Sequence, residues 1–96
     1  MGLSVLICAK NEAANLERNL PDIINQQYPE FEVILINDDS KDNTLMVMND
    51  FADAHTHVKV VDVASNDAFL SNKKYALTLG IKSTKYNFLV LTDADC

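Results

Sequence analysis

The sequence predicts an α/β fold: a doubly wound parallel sheet in the order β-α-β-α-β-α-β. Two patterns carry that expectation. Four short apolar runs, residues 3–9, 31–36, 58–63 and 86–91, are rich in β-branched side chains and bounded by polar clusters. Between them lie three segments in which apolar residues return every three or four positions, the spacing of one helix face. Strands that alternate with helices imply crossovers, each returning the next strand parallel to the last.

Each element has a local reason. The strand runs are almost continuously apolar rather than alternating, which predicts strands covered on both faces. In the first helix Leu16, Leu20, Ile23 and Ile24 share a face. Pro21 interrupts it, predicting a kink or two consecutive short helices, and Pro29 closes the region before the second strand. Leu45, Met48 and Ala52 define the second helix, with Ser40 or Asp42 placed to cap it. The third spans 71–83, with Ser71 as its cap and Ala76, Leu77, Gly80 and Ile81 on one face. Residues 64–70 form the longest expected loop.

Composition sets the outer limits. The chain has 96 residues, enough for one small domain, and its 48% hydrophobic content fits a globular protein. Fourteen acidic residues against eight basic ones give a net charge of −6, which excludes a nucleic-acid partner that needs clustered Lys and Arg. Cys8 and Cys96 stand at opposite ends of the chain. Neither zinc spacing nor a disulfide framework is present, and Cys8 reads as a small buried apolar residue. The setting this implies is reducing and cytoplasmic. The run 3–9 is too short to span a membrane and no secretory signal precedes it. Any anchor to the inner face of a membrane is expected beyond Cys96.

Polar residues gather where the strands end. The first run leads into Lys10-Asn11-Glu12, the second into Asn37-Asp38-Asp39-Ser40 and the fourth into Asp93-Ala94-Asp95, while Lys73 enters after the third. In a parallel sheet these ends lie along one edge, the edge at which such folds bind ligands. Asp93 and Asp95 set two carboxylates close together after a strand, a donor pair suited to Mg²⁺ or Mn²⁺ with positions left for substrate phosphates; an exposed acidic turn is the bland alternative. Asp38 can accept the imide N–H of a pyrimidine, while Asp39, Ser40 and Asp42 suit turn and cap roles. Asn11 and Glu12 open the first helix, where acidic groups favour the dipole, and the backbone at Ala9 can meet a base or ribose. Lys73 falls in a first helical turn, a poor place for a cation unless a phosphate faces it; a solvated lysine is the alternative. His55 and His57 lie at a helix-to-strand junction without supporting carboxylates, and Phe69 and Tyr75 read as packing residues.

Taken together, these motifs resemble the N-terminal half of family 2 glycosyltransferases, which have the Rossmann-like GT-A fold. The family's opening strand and Asn-Glu correspond to residues 4–12, and its Val-Asp-Asp-Gly-Ser-Thr-Asp type motif to Ile36-Asn-Asp-Asp-Ser-Lys-Asp42. Asn37 replaces the first Asp there, and Asp39 stands where Gly is usual. The family's Gly-Lys corresponds to Asn72-Lys73, its Leu-Gly-Ile to Leu79-Gly80-Ile81, and its D-x-D to Asp93-Ala94-Asp95. The resemblance covers nearly the whole chain. It implies a nucleoside-diphosphate sugar donor, with Ala9, Glu12 and Asp38 holding uridine and Asp93 near the ribose. It also implies that Asp95 reaches a Mn²⁺ or Mg²⁺ ion bridging the diphosphate. Asn11 and Lys73 complete the expected nucleotide-sugar site, and Asp93 is the second expected metal ligand.

In such a family transfer mostly inverts the anomeric carbon, with a carboxylate base and an acceptor site supplied by a C-terminal half. Residues 1–96 are therefore expected to be the donor-binding part alone, cut after the D-x-D and inactive by itself, with no catalytic base. The acceptor, whether saccharide, lipid or protein, is left open. An exposed face where the missing half would pack predicts self-association. Rival readings fare worse. A nucleotidyltransferase or dinucleotide-binding domain needs glycines after the first strand, and residues 10–14 have none. A signalling receiver domain needs an acidic pair after the first strand and an acceptor Asp after the third, where Lys10-Asn11 and the segment after Val63 do not fit. A non-catalytic nucleotide- or metal-binding module is the remaining alternative.

Overall fold

The structure, a computed structural model, describes residues 2–25, 30–38, 40–63, 81, 84–86 and 88–93, with the backbone alone at 63 and 88–93. Within them run β1 (Leu3–Ala9), α1 (Ala13–Ile24), β2 (Phe31–Asp38), α2 (Thr44–Ala54), β3 (Val58–Val63) and β4 (Phe88–Asp93). The expected third helix lies outside the described residues except for Ile81, which is helical and exposed. The Ser71 cap, the 64–70 loop, Pro29, Asp39, Phe69, Lys73, Tyr75 and Asp95 lie outside them as well.

The strands form one sheet in the order β3-β2-β1-β4, and every pairing is parallel. The chain steps outward from β1 to β2 to β3 and then returns to the other side of β1. The strand order therefore reverses between β1 and β4. Strands β1 and β2 are buried on both faces, which explains their unbroken apolar runs, whereas β3 is only partly buried. On one face Val5, Ile7, Phe31, Val33 and Leu35 pack with Leu16, Leu20 and Ile24 of α1 and with Val47 and Met48 of α2. On the other, Leu6, Cys8, Ile34 and Ile36 form a second cluster. Each such side chain, fully buried, contributes about 1.5–3 kcal/mol.

Several expectations need correction. Helix α1 runs through Pro21 as one helix rather than two. Pro21 and Glu17 are both exposed residues of this helix, so the hydrogen bond that proline cannot donate is lost on the solvent side of α1 and not in the core. On α2 the expected Met48 is buried and Ala52 packs against the core, while Leu45 is only half-buried and Thr44 and Val47 complete the buried stripe. Strands β2 and β4 each extend two residues past their apolar runs, to Asp38 and Asp93. Parallel pairing continues through these polar residues, since the ladder bonds backbone and not side chain.

At the opposite edge, where the strands begin, one buried carboxylate organises three elements. Glu32, 3% exposed, accepts the Ser4 hydroxyl at 2.6 Å and the Lys85 backbone N–H on the same oxygen. Lys59 Nζ lies 3.1 Å from the other oxygen. Burial pushes the Glu32 carboxyl up, but Ser4, Lys85 and Lys59 together hold it below its ordinary value. Beside this network a Cβ on Gly2 would fall 2.0 Å from Tyr86 Cδ1, so the approach of the two chain segments leaves room only for glycine.

Candidate functional site at the carboxyl edge of the sheet

The register brings the ends of three strands together. Ala9 pairs with Asn37, Cys8 with Asp93 and Asp38 with Val63. The ends are staggered: Asp93 of β4 lies level with Cys8, Ala9 of β1 lies level with Asn37, and Asp38 of β2 is one residue further on. Asp93 lies across the point where strand order reverses, the usual crevice for a ligand. Ala9 is buried at 2% exposure. Asp38 is half-buried, as is Glu12, whereas Asn11 is exposed. Asp38 falls on the sheet face opposite Asn37, because successive side chains of a strand alternate. Asn37 turns to the helix side, where its Nδ2 donates to Asp62 Oδ1 at 2.8 Å and its buried Oδ1 has no protein donor among the described residues.

Past their strand ends, β1 and β2 enter loops tied together by side-chain-to-backbone bonds. The Asn11 N–H donates to Ser40 Oγ at 3.0 Å. Asn11 Oδ1 accepts from the backbone N–H of Lys41 at 2.5 Å and of Asp42 at 3.2 Å. The Glu12 N–H donates to Thr44 Oγ1 at 2.9 Å. Asp42 Oδ1 in turn accepts the Thr44 N–H at 2.9 Å and the Thr44 hydroxyl, and the Ala13 N–H also bonds to it. The first amides of α1, which have no intrahelical partners, are in this way met from the β2 loop, and the Thr44 N–H of α2 is met by Asp42 of its own loop. These bonds, the Thr44 hydroxyl foremost, hold the Asp42 carboxyl below its ordinary value.

Asn11 adopts φ +54°, a left-handed conformation. Asn tolerates that region better than most residues, so one side chain supplies both the turn and the acceptor. Of the two expected caps for α2, Asp42 performs the task from one position before the N-cap residue Asn43. Ser40 does not; its hydroxyl serves the β1 loop instead. Reading the sequence along its own helices missed Thr44 and Ser40 as partners of the first loop and Asp62 as a partner of Asn37. The available signal was the density of Asn, Asp, Ser and Thr at 37–44, residues that bond to nearby backbone.

Asp93 enters the site by its backbone position at the end of β4, while Lys73 and Asp95 lie outside the described residues. No group of three or more His, Cys, Asp and Glu among the described residues is arranged around a metal. His55 and His57 are stacked edge to face at 5.8 Å, and His57 Nε2 bonds to the Ile24 carbonyl at 3.1 Å, a contact that joins α1 to the β3 approach. Among the described residues no helix is long and apolar enough to cross a membrane.

Comparison with known proteins converges on one family. Residues 4–96 match the profile of glycosyl transferase family 2. Over 94 residues the chain is 37% identical to a poly-beta-1,6-N-acetyl-D-glucosamine synthase of Staphylococcus epidermidis, covering 98% of this chain and 22% of the relative. Among solved structures, S. aureus TarS in complex with UDP-GlcNAc superposes with a TM-score of 0.81 at 25% identity, covering 99% of this chain and 27% of that one. A mannosyltransferase from Pyrobaculum calidifontis, in complex with GDP-Man and Mn²⁺, gives 0.80 at 27% identity, covering 97% and 27%. The chain thus spans about a quarter of the length of the proteins it matches. A profile match over nearly every residue, on a parallel sheet whose polar ends meet at one edge, makes this chain a member of glycosyl transferase family 2.

Proposed function

We propose that residues 1–96 form the donor-binding part of a glycosyltransferase that uses a nucleoside-diphosphate sugar, with UDP as the nucleotide. The observation that carries this reading is the register that brings the carboxyl ends of three adjacent strands to one edge, with Asp93 level with Cys8, Ala9 level with Asn37 and Asp38 one residue beyond. Asp38, half-buried at its strand end, suits the imide N–H of uracil, an exchange of a solvated contact for a charge-assisted one. Ala9 offers backbone beside the base, and Asn11 and Glu12 close the site from the first loop. Lys73 serves the diphosphate, and Asp93 the ribose. The relatives support the chemistry: TarS is seen with UDP-GlcNAc and the mannosyltransferase with GDP-Man and Mn²⁺.

Two carboxylates separated by one residue are hard oxygen donors of the kind Mn²⁺ and Mg²⁺ prefer, and Asp93 and Asp95 have that spacing. A divalent cation held there supplies charge neutralisation for the departing nucleoside diphosphate. The residues of this chain bind and orient the donor. Activation of the acceptor hydroxyl falls to a carboxylate base in sequence outside residues 1–96, with inversion at the anomeric carbon. The acceptor class follows that same sequence. The relative named as a poly-beta-1,6-N-acetyl-D-glucosamine synthase supports a role in cell-envelope polysaccharide synthesis, and we place that role at the inner face of the membrane.

Calorimetric titration of UDP into the chain, with and without Mn²⁺, tests the proposal. Binding is expected to need Mn²⁺, to vanish in Asp95→Ala and to weaken about tenfold or more in Asp38→Ala, the loss of one charge-assisted hydrogen bond. Equal affinity with and without Mn²⁺, or full affinity in Asp38→Ala, would overturn the assignment of these residues.

A further inference from the structure

We propose that Asn11 is the positioning residue of the nucleotide site, a strut that fixes the gap between the β1 and β2 loops. The inference rests on the donor-site reading above. The sheet itself sets the spacing of Ala9 and Asn37, which are register partners. Beyond them the ladder ends, and the two loops that flank a bound nucleotide are held by the bonds of Asn11, Ser40, Asp42 and Thr44. Asn11 makes three of the loop-to-loop bonds: its N–H reaches Ser40, and its Oδ1 receives Lys41 and Asp42.

Two demands meet at this residue and can be separated by substitution. The backbone at φ +54° requires a residue that tolerates the left-handed region, which Gly and, less readily, Asn and Asp do. The strut requires a side-chain acceptor at Oδ1. Glycine meets the first demand alone; Asp meets both. A second path between the loops, Glu12 N–H to Thr44 Oγ1, involves a residue that is fully buried and has no access to a ligand. Loss of that path acts on the nucleotide site only through loop spacing.

The test combines amide hydrogen exchange with UDP titration in the presence of Mn²⁺. Asn11→Gly is expected to speed exchange at Lys41 and Asp42 about tenfold and to weaken UDP binding by a similar factor, the worth of about one hydrogen bond. Asn11→Asp restores both. Thr44→Val weakens UDP binding as well, and Thr44→Ser restores it. Asn11→Gly with faster exchange but unchanged UDP affinity would overturn the strut while leaving the donor site intact. So would loss of binding in Asn11→Asp together with full binding in Thr44→Val, which marks Asn11 as a direct ligand through Nδ2. Absence of UDP binding in the unsubstituted chain removes the donor-site reading itself, and this proposal falls with it. Normal exchange protection at Lys41 and Asp42 would then show that the loops had folded.

Discussion

Glu32 and Asp42 make an instructive pair, one at each edge of the same sheet. Both carboxyls are held below their ordinary values by hydrogen bonds, and both link segments distant in sequence. Glu32 is buried, and its partners come from β1, β3 and the approach to β4. Asp42 is exposed, and its partners are the first amides of two helices and the Thr44 hydroxyl. A buried charge stripped of partners is expensive, whereas an exposed one can fall back on water. The first edge is therefore built for fold stability. The second ties the β1 and β2 loops together through bonds that stay exposed to solvent.

The largest expected effect separates the two edges directly. Glu32→Ala leaves the buried Ser4 hydroxyl and the Lys85 amide without an acceptor and is expected to destabilise the chain by about 3 kcal/mol. Urea unfolding measures it, and a loss below about 1 kcal/mol would mean that water reaches the network. Crowding at the same edge gives the next effect. Gly2→Ala drives a methyl into the Tyr86 ring and is expected to cost about 1–3 kcal/mol, most of it recovered when Tyr86→Ala is added. Additive losses in that double variant would disconnect the two positions.

The smallest effect sharpens the comparison through pH. Each folded carboxyl titrates below its unfolded value, so its stabilisation is complete above the unfolded pKa and is lost as pH falls through the folded one. Stability is expected to decline on acidification below about pH 4. Glu32→Gln should flatten that acid limb visibly. Asp42→Asn should change it less, because solvent screens an exposed group. An acid limb that responds only to Asp42→Asn would reverse the roles assigned to the two edges.

Much of this was legible along the chain. For β1 and β2 the continuous apolar runs match strands buried on both faces, while β3, with a similar run, is only partly buried; Leu16, Leu20 and Ile24 form the inward stripe of α1 as their spacing predicts, because burial periodicity is written locally. Polar clusters are expected at the strand ends, and Ala9, Asp38 and Asp93 do close β1, β2 and β4. Less was legible about the ends themselves: β2 and β4 each run two residues further than their apolar runs, since a strand continues while its neighbour's backbone offers partners. Pro21 did not divide α1, and it lies on the exposed side of that helix.

The sequence by itself determined the α/β class and the family, both of which depend on residue type and short-range spacing. Tertiary structure decided what each polar residue does. Asn11 meets Lys41 thirty positions on, and Glu32 meets Ser4 and Lys85 across 28 and 53 positions. Such partners are set by strand register and by where loops leave the sheet, and no local pattern encodes which distant amide a side chain will find. Hydrogen bonds are short-ranged and directional, so that choice is made only once the sheet has brought the loops together.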